Sequence, residues 1–200
     1  MKLKKSRLVR VVDKFYVLVK ATIRFWTVLF RYGLVYGWLP AGYYTFAYLM
    51  HSGEQGESIK YLIRSHPFRL RQHYLASFTL TFLMVISAVL LKLTSKMVPV
   101  QLLILVIAMF ASLIVATYLT ILAYQLNVNS ETTHPYFEAL AFGIKHGWVS
   151  LSILACLIAV VLVAYLNLIL GLIVAPSLFF LVTGKMIDQS IKRNLVRMTD

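Results

Sequence analysis

The side chains that could do acid–base, nucleophilic or metal chemistry are few in this chain and poorly placed for it. The sequence holds seven Asp and Glu, five His and one Cys. The acids lie in polar loops and tails, so a proton relay of carboxylates inside an apolar span has no members. The single thiol, Cys156, lies in an apolar run and has no second thiol for a disulfide or a metal site, so we expect a small packing residue there.

Sequence motifs that carry catalysis are absent as well. The chain has no Walker A loop (GxxxxGK[ST]), no HExxH and no GxSxG pattern, and its Cys and His residues show no metal-ligand spacing. We therefore predict that the protein is not an enzyme and has no catalytic residue, no metal site and no cofactor.

Composition predicts an integral membrane protein. The chain is 60% apolar and only 14% charged, with a mean hydropathy of +0.79, whereas soluble domains are about 45–50% apolar and about 25% charged. The apolar residues fall in long uncharged runs, which must satisfy their own backbone hydrogen bonds as helices. We therefore expect a single all-α domain over residues 1–200.

The net charge of +13 is concentrated beside the apolar runs. Lys and Arg in such positions set membrane orientation and contact anionic lipid heads, so membrane lipids are the expected partner and nucleic acid is not. Residues 1–24 predict a basic amphipathic helix along the cytoplasmic interface, with a disordered basic arm as the alternative. Residues 185–200 predict a basic amphipathic tail.

The aromatic-rich stretch 25–51 is interrupted near its middle at Pro40 and Gly42. Proline removes a helical N–H and clashes with the preceding turn, which favours a break there. The flanking segments 1–24 and 52–74 are both basic, and the positive-inside rule puts both on the cytoplasmic side. We therefore predict that the stretch enters the membrane and returns, as two short spans or as a re-entrant hairpin split at Pro40.

The remaining apolar runs predict two more hairpins. Residues 74–91 and 97–124 form the first. Residues 147–184 carry no charge and would be about 57 Å long as one helix, nearly twice the hydrocarbon thickness. This run must therefore fold back around residues 167–171, where Asn167 could cap the turn. The expected result is about six membrane-embedded helices in a bacterial plasma membrane, with both termini cytoplasmic.

The polar loop 125–147 predicts a short helix starting at Pro135. Its apolar positions recur at helical spacing on one face, at Phe137, Leu140, Ala141, Ile144 and Trp148. An amphipathic helix of this kind lies on the membrane surface or against a partner protein.

Three stretches resemble the YesL family of small bacterial membrane proteins. They are Leu39-Pro40 followed by AGYYTFAY, the segment YLIRSHPFRLRQHYLASF at 61–78, and residues 136–148. The resemblance covers roughly residues 20–190. It departs from the family at Pro67 and Phe68 and in the long basic N-terminus.

The resemblance implies association with carbohydrate uptake in Gram-positive bacteria, because such proteins are commonly encoded beside sugar importers of the ABC type. ABC permeases dock their ATPase through an E-A-A…G helix in a cytoplasmic loop, and the chain has EALAFG at 138–143. Here the glycine comes one place early and the second Ala is Leu, and a helix lying on the membrane surface is the alternative. The candidate partner-contact residues are Glu138, Ala139, Gly143, Arg64, Arg69 and Arg71.

These features together predict an accessory, non-catalytic membrane subunit that works with the permease and ATPase subunits of an ABC-type carbohydrate importer. Two alternatives belong to other classes. One is a small solute transporter or channel acting alone, which would need a polar path through the spans. The other is a membrane-surface scaffold that holds anionic lipid with its basic ends.

Overall fold

A computed structural model of the chain describes residues 7–51, 68, 70–92, 99–128 and 134–199. The predicted all-α class is confirmed, since this part of the chain is helical and contains no strand. The helices are α1 (Arg7–Arg31), α2 (Trp38–His51), α3 (Leu70–Lys92), α4 (Pro99–Val128), α5 (Pro135–Lys145), α6 (Gly147–Leu166), α7 (Leu168–Ile173) and α8 (Ala175–Thr199).

Three of these helices, α3 from His73 onward, α4 and α6, are long and apolar enough to cross a membrane. A helix of 20 residues is about 30 Å long, which matches the hydrocarbon core of a bilayer. Most of the surface of these three helices faces outward from the bundle and not into it. The structure is therefore compatible with insertion in a membrane.

The first two helices form a hairpin, but its break lies upstream of the predicted position. The chain turns at residues 32–37, where Gly33 has a φ of 79°, a left-handed conformation that glycine adopts without strain. Pro40 is the third residue of α2, in the first turn, where a helix needs no N–H donor. The prediction of a break at Pro40 is corrected for this reason. The predicted limit between residues 24 and 25 is not a helix end either, since α1 runs through it.

The α1–α2 hairpin reaches only part of the way along α3. The Leu39 N–H donates to the Ser77 hydroxyl (3.1 Å), and the Thr81 hydroxyl donates to the Val35 carbonyl (3.0 Å). Thr81 precedes the end of α3 at Lys92 by about 16 Å of helix. The distal part of the α3–α4 pair consequently carries large exposed apolar side chains, among them Val85, Val89, Leu91, Val100, Leu103 and Ile107.

The third hairpin joins α6 to α8 through the short helix α7. The Ser190 hydroxyl and His146 Nδ1 share a hydrogen bond of 3.1 Å, which brings the distal half of α8 back to the start of α6. At the turn, Asn167 Oδ1 accepts a hydrogen bond from the Leu170 N–H (3.1 Å). The predicted reversal around residues 167–171 and the capping role of Asn167 are both confirmed. The predicted tail 185–200 continues α8 as far as Thr199.

Substituting Asn167 tests the cap at this turn. Asn167→Ala removes the acceptor of the Leu170 N–H, and we expect it to lower the free energy of unfolding by about 1 kcal/mol. Asn167→Ser keeps a side-chain oxygen at the same position and should retain most of that stability. Thermal unfolding of the purified chain in detergent measures both, and equal losses from the two variants would contradict the capping role.

The three hairpins meet at a cluster of aromatic rings around Phe46. The centroid of its ring lies 5.0 Å from that of Phe180 and 5.5 Å from that of Tyr124, both in edge-to-face geometry, which is a favourable arrangement for aromatic pairs. A Cβ at Gly42 would lie 3.2 Å from the Phe180 ring. Gly42, predicted to break the span, therefore allows α2 to approach α8 closely.

Candidate functional site

Helix α5 lies where the chain leaves α4 and enters α6, and its small residues hold it against both. The side chain of Ala139 is 0% exposed. The Ser150 hydroxyl donates to the Gly143 carbonyl (2.9 Å), and a Cβ on Gly143 would come within 3.7 Å of Ile121. The inner side of α5 is thus packed closely against α4 and the first turn of α6.

Polar contacts fix the start of the same helix. The Tyr118 hydroxyl donates to the Tyr136 carbonyl (3.0 Å), and the Tyr136 hydroxyl shares a hydrogen bond of 2.7 Å with His73 Nδ1. Gln125 Nε2 lies 3.4 Å from the Glu138 carbonyl, to which it donates. Burial raises the pKa of Tyr136, so its hydroxyl is protonated at neutral pH. These contacts tie α5 to both α3 and α4.

The opposite side of α5 is a row of large apolar side chains that no other described element covers. We call this row the outer edge; it consists of Phe137 (71% exposed), Leu140 (51%), Ile144 (75%) and Trp148 (81%), the last at the start of α6. The predicted helix and its apolar spacing are confirmed. A contiguous exposed apolar row on a firmly packed helix is typical of a surface that meets lipid or another protein.

The structure separates the predicted partner-contact residues. Ala139 and Gly143 face inward, while Glu138 is partly exposed in the first turn of α5. Arg64 and Arg69 lie outside the described residues. Arg71 belongs to the first turn of α3, two residues before His73, and its side chain lies outside the described part as well.

A cation-lined hollow of about 460 Å³ opens between the α5–α6 junction and α8. Its polar lining comes from Lys145, His146, Ser152, Gln189, Ser190 and Arg193. Burial, together with the neighbouring charge of Lys145, lowers the pKa of His146, so its ring is neutral at pH 7. The positive charge of the hollow therefore comes from Lys145 and Arg193.

Sequence reasoning missed this hollow because its two cations are far apart in the chain. Lys145 was assigned to a surface helix and Arg193 to a separate tail. The length of the last helix could have linked the two cations. If the last apolar run continues as helix past Lys185, its antiparallel pairing with α6 brings residues near 190 to the start of α6. The hydrogen bond between Ser190 and His146 shows that pairing.

A second cavity, of about 320 Å³, lies at the centre of the bundle where the hairpins meet. Its walls are aromatic and aliphatic, with Trp26, Trp38 and Phe180 among them. Of the described residues that line it, Thr120 has the one hydroxyl, and that hydroxyl donates to the Ala116 carbonyl in its own helix (2.8 Å). The cavity offers apolar surface and no polar path.

The described residues contain no group of three His, Cys, Asp or Glu side chains that could hold a metal ion. The described residues also form an exposed apolar edge, a cationic hollow and an apolar cavity, which are features that binding surfaces have. Comparison of the chain with protein-family models, with curated proteins and with solved structures finds no match.

Proposed function

We propose that the protein is an accessory, non-catalytic membrane subunit that binds its partner through the outer edge of α5. The observation that carries this proposal is the two-sided character of that helix. Its inner side is packed and hydrogen-bonded to three other helices, whereas its outer edge presents four large apolar side chains. A rigid helix with an exposed apolar row is a common way for one protein to meet another.

The identity of the partner rests on the resemblance to the YesL family. On that basis the partner is an ABC-type carbohydrate importer, and the contact is made with its permease or its ATPase subunit. Because Ala139 and Gly143 face the bundle, the contact in this proposal involves the outer edge with Glu138 beside it, and not the small residues of the EALAFG segment.

The proposed arrangement in the bacterial plasma membrane has about six embedded helices and cytoplasmic termini. Helices α3, α4 and α6 span the bilayer, and the uncharged segment 167–184 returns beside α6. Helix α2 has 14 residues and is about 21 Å long, which is short of a hydrocarbon core of about 30 Å. This length favours a re-entrant α1–α2 hairpin over two full spans.

Co-purification tests the function. We expect the chain, extracted in mild detergent, to bring down the permease and ATPase subunits of the sugar importer encoded beside it. Phe137→Ser and Ile144→Ser should reduce their recovery to less than about a tenth, as loss of a central apolar contact does. Phe15→Ser makes the same change at an exposed apolar position on α1, away from α5, and should leave recovery unchanged.

Recovery of the wild-type chain alone, repeatedly and in more than one detergent, would overturn the proposed function. Equal recovery with the wild-type and the two outer-edge variants would retain an importer partner but place the contact elsewhere on the chain.

Cysteine labelling tests the orientation. In a Cys156→Ala background, single cysteines at positions 55, 95 and 134 should react differently with a membrane-impermeant thiol reagent. Position 95 should react in intact cells, whereas 55 and 134 should react only after the membrane is opened. Labelling of position 55 from outside would contradict the returning α1–α2 hairpin.

A further inference from the structure

We propose that one side of the α6–α8 hairpin binds an anionic phospholipid, with its phosphate at Lys145 and Arg193 and an acyl chain in the groove between the two helices. This site goes beyond the proposed function, since it shares only Trp148 with the outer edge and binds a lipid and not a protein partner.

The hollow at the start of α6 is positively charged. Lys145 and Arg193 both border it, and none of the described residues lining it is acidic. The nearest acid on α8, Asp188, lies outside the lining and forms an ion pair with Lys192 at 2.8 Å. Two cations without an acid in the same hollow would favour a phosphate group, to which Lys and Arg bind by charge-assisted hydrogen bonds.

An apolar groove continues from this hollow along the hairpin. It is a third cavity, of about 250 Å³, lined from α6 by Cys156, Ala159 and Val163 and from α8 by Ala175, Leu178 and Val182, among others. Cys156 follows Ser152 of the cationic hollow by one helical turn, and Val182 precedes Met186 of that hollow by one turn. Residues four apart share a helix face, so both cavities lie on the same side of the hairpin.

The extent of the site fits a lipid and not a soluble anion. A free phosphate would fill only the cationic end, whereas the apolar groove lies within the span of α6 and is kept open by small side chains such as Ala159. Trp148 borders the cationic hollow and is largely exposed, and tryptophan is enriched at the level of lipid head groups. The cationic end therefore fits the phosphate head of a phospholipid, and the apolar groove fits one of its acyl chains. Trp148 lies beside the cationic end, at the level expected for the membrane interface.

Lipid binding to the purified full-length chain tests this site. Native mass spectrometry in detergent should show phosphatidylglycerol binding at least about tenfold more tightly than phosphatidylcholine with the same acyl chains. The double variant Lys145→Ala/Arg193→Ala should abolish that preference. Its matched control, Lys185→Ala/Lys192→Ala, removes two charges from α8 outside the hollow and should keep the preference.

The groove proposed to hold the acyl chain is tested separately. Ala159→Leu places a larger side chain in the groove and should weaken phosphatidylglycerol binding by about tenfold. Ala155→Leu makes the same change one turn away, at an exposed position outside the groove, and should bind as the wild type does. Unchanged thermal unfolding of all four variants without added lipid shows that the differences are not losses of fold.

Three results would overturn the proposal. The first is equal binding of the two lipids, and the second is a preference that survives Lys145→Ala/Arg193→Ala. The third is full displacement of phosphatidylglycerol by glycerol 3-phosphate together with no effect of Ala159→Leu, which would indicate a site for a soluble phosphate.

Discussion

Replacing Gly37 with alanine is expected to lower the free energy of unfolding by about 2 kcal/mol or more, the upper part of the range for an overpacked position. An added Cβ would lie 2.5 Å from the Leu29 carbonyl oxygen, 2.7 Å from the Gly33 carbonyl oxygen and 2.9 Å from the Leu29 Cα. All three are backbone atoms, so no side chain can rotate away to make room. The turn itself would have to move away from α1.

That movement would also disturb the contact of the hairpin with α3. The Leu39 N–H, one of the first donors of α2, is hydrogen-bonded to the buried Ser77 hydroxyl, and the Val35 carbonyl accepts from Thr81. Displacing the turn leaves these groups without partners in an apolar setting, where an unpaired polar group costs about 1–3 kcal/mol. The Gly37→Ala substitution therefore lowers the free energy of unfolding in two ways, through the clash of the added methyl group and through weaker packing of the α1–α2 hairpin on α3.

Thermal unfolding in detergent measures the effect, with Gly147→Ala as the matched control. Gly147 opens α6, its φ is negative, and an added Cβ there would meet nothing within 4 Å. We expect this control to unfold as the wild type does. Equal melting temperatures for Gly37→Ala and Gly147→Ala would show that the turn does not pack on Leu29 in the way the structure has it.

The same turn shows what the sequence could and could not predict about the fold. The charges on both sides of residues 25–51 predicted a stretch that turns back on itself, and the structure shows a helical hairpin there. The passage of this hairpin into a membrane stays a prediction. The position of the turn did not follow, because Pro40 was the strongest local signal and proline is tolerated in the first turn of a helix. The close approach of Gly37 to Leu29 is a contact between the turn and α1, and nothing in the sequence distinguishes this glycine from the other eight.

The change from basic to apolar composition near residue 24 does not coincide with a helix end, since α1 continues through it. The Arg24 guanidinium lies 3.8 Å from the centroid of the Tyr48 ring on α2, and a cation over an aromatic face is stabilised there. A basic residue can thus remain in a packed helix when its charged group lies over an aromatic ring of the neighbouring helix.

For the candidate site, periodicity gave the helix and its apolar face, and the expectation that this face meets lipid or a partner agrees with the exposure of Phe137, Leu140 and Ile144. Periodicity did not give the residues that pack the other side of the helix. In the structure the small residues Ala139 and Gly143 face α4 and α6, because they allow the helices to come close, and the large residues face outward. Which side of a short amphipathic helix is packed depends on the shape of its neighbours, which a single sequence does not show.

Replacing Ala139 with leucine is expected to detach α5 from the bundle. Ala139 is fully buried, and the added side-chain atoms would enter the packed contact with α4 and α6. Overpacking of this kind costs about 1–3 kcal/mol. Relief requires α5 to move outward, which stretches the bonds from Tyr118 to the Tyr136 carbonyl and from Ser150 to the Gly143 carbonyl.

The matched control is Ala141→Leu, two residues along the same helix at an exposed position. It makes the identical chemical change without entering the bundle, so we expect its melting temperature to equal that of the wild type. Limited proteolysis within residues 129–145 should be faster in Ala139→Leu and unchanged in Ala141→Leu, since a detached helix opens more readily to a protease.

The comparison also separates two roles for the EALAFG segment. If Ala139 packs inside the bundle, Ala139→Leu lowers stability in the purified chain, with no partner present. If instead Ala139 contacts an ATPase subunit directly, the substitution leaves melting and proteolysis of the isolated chain unchanged and weakens only the recovery of that subunit. The second result would require α5 to present its small residues outward and the outer edge inward, the reverse of the packing on which the proposed contact depends.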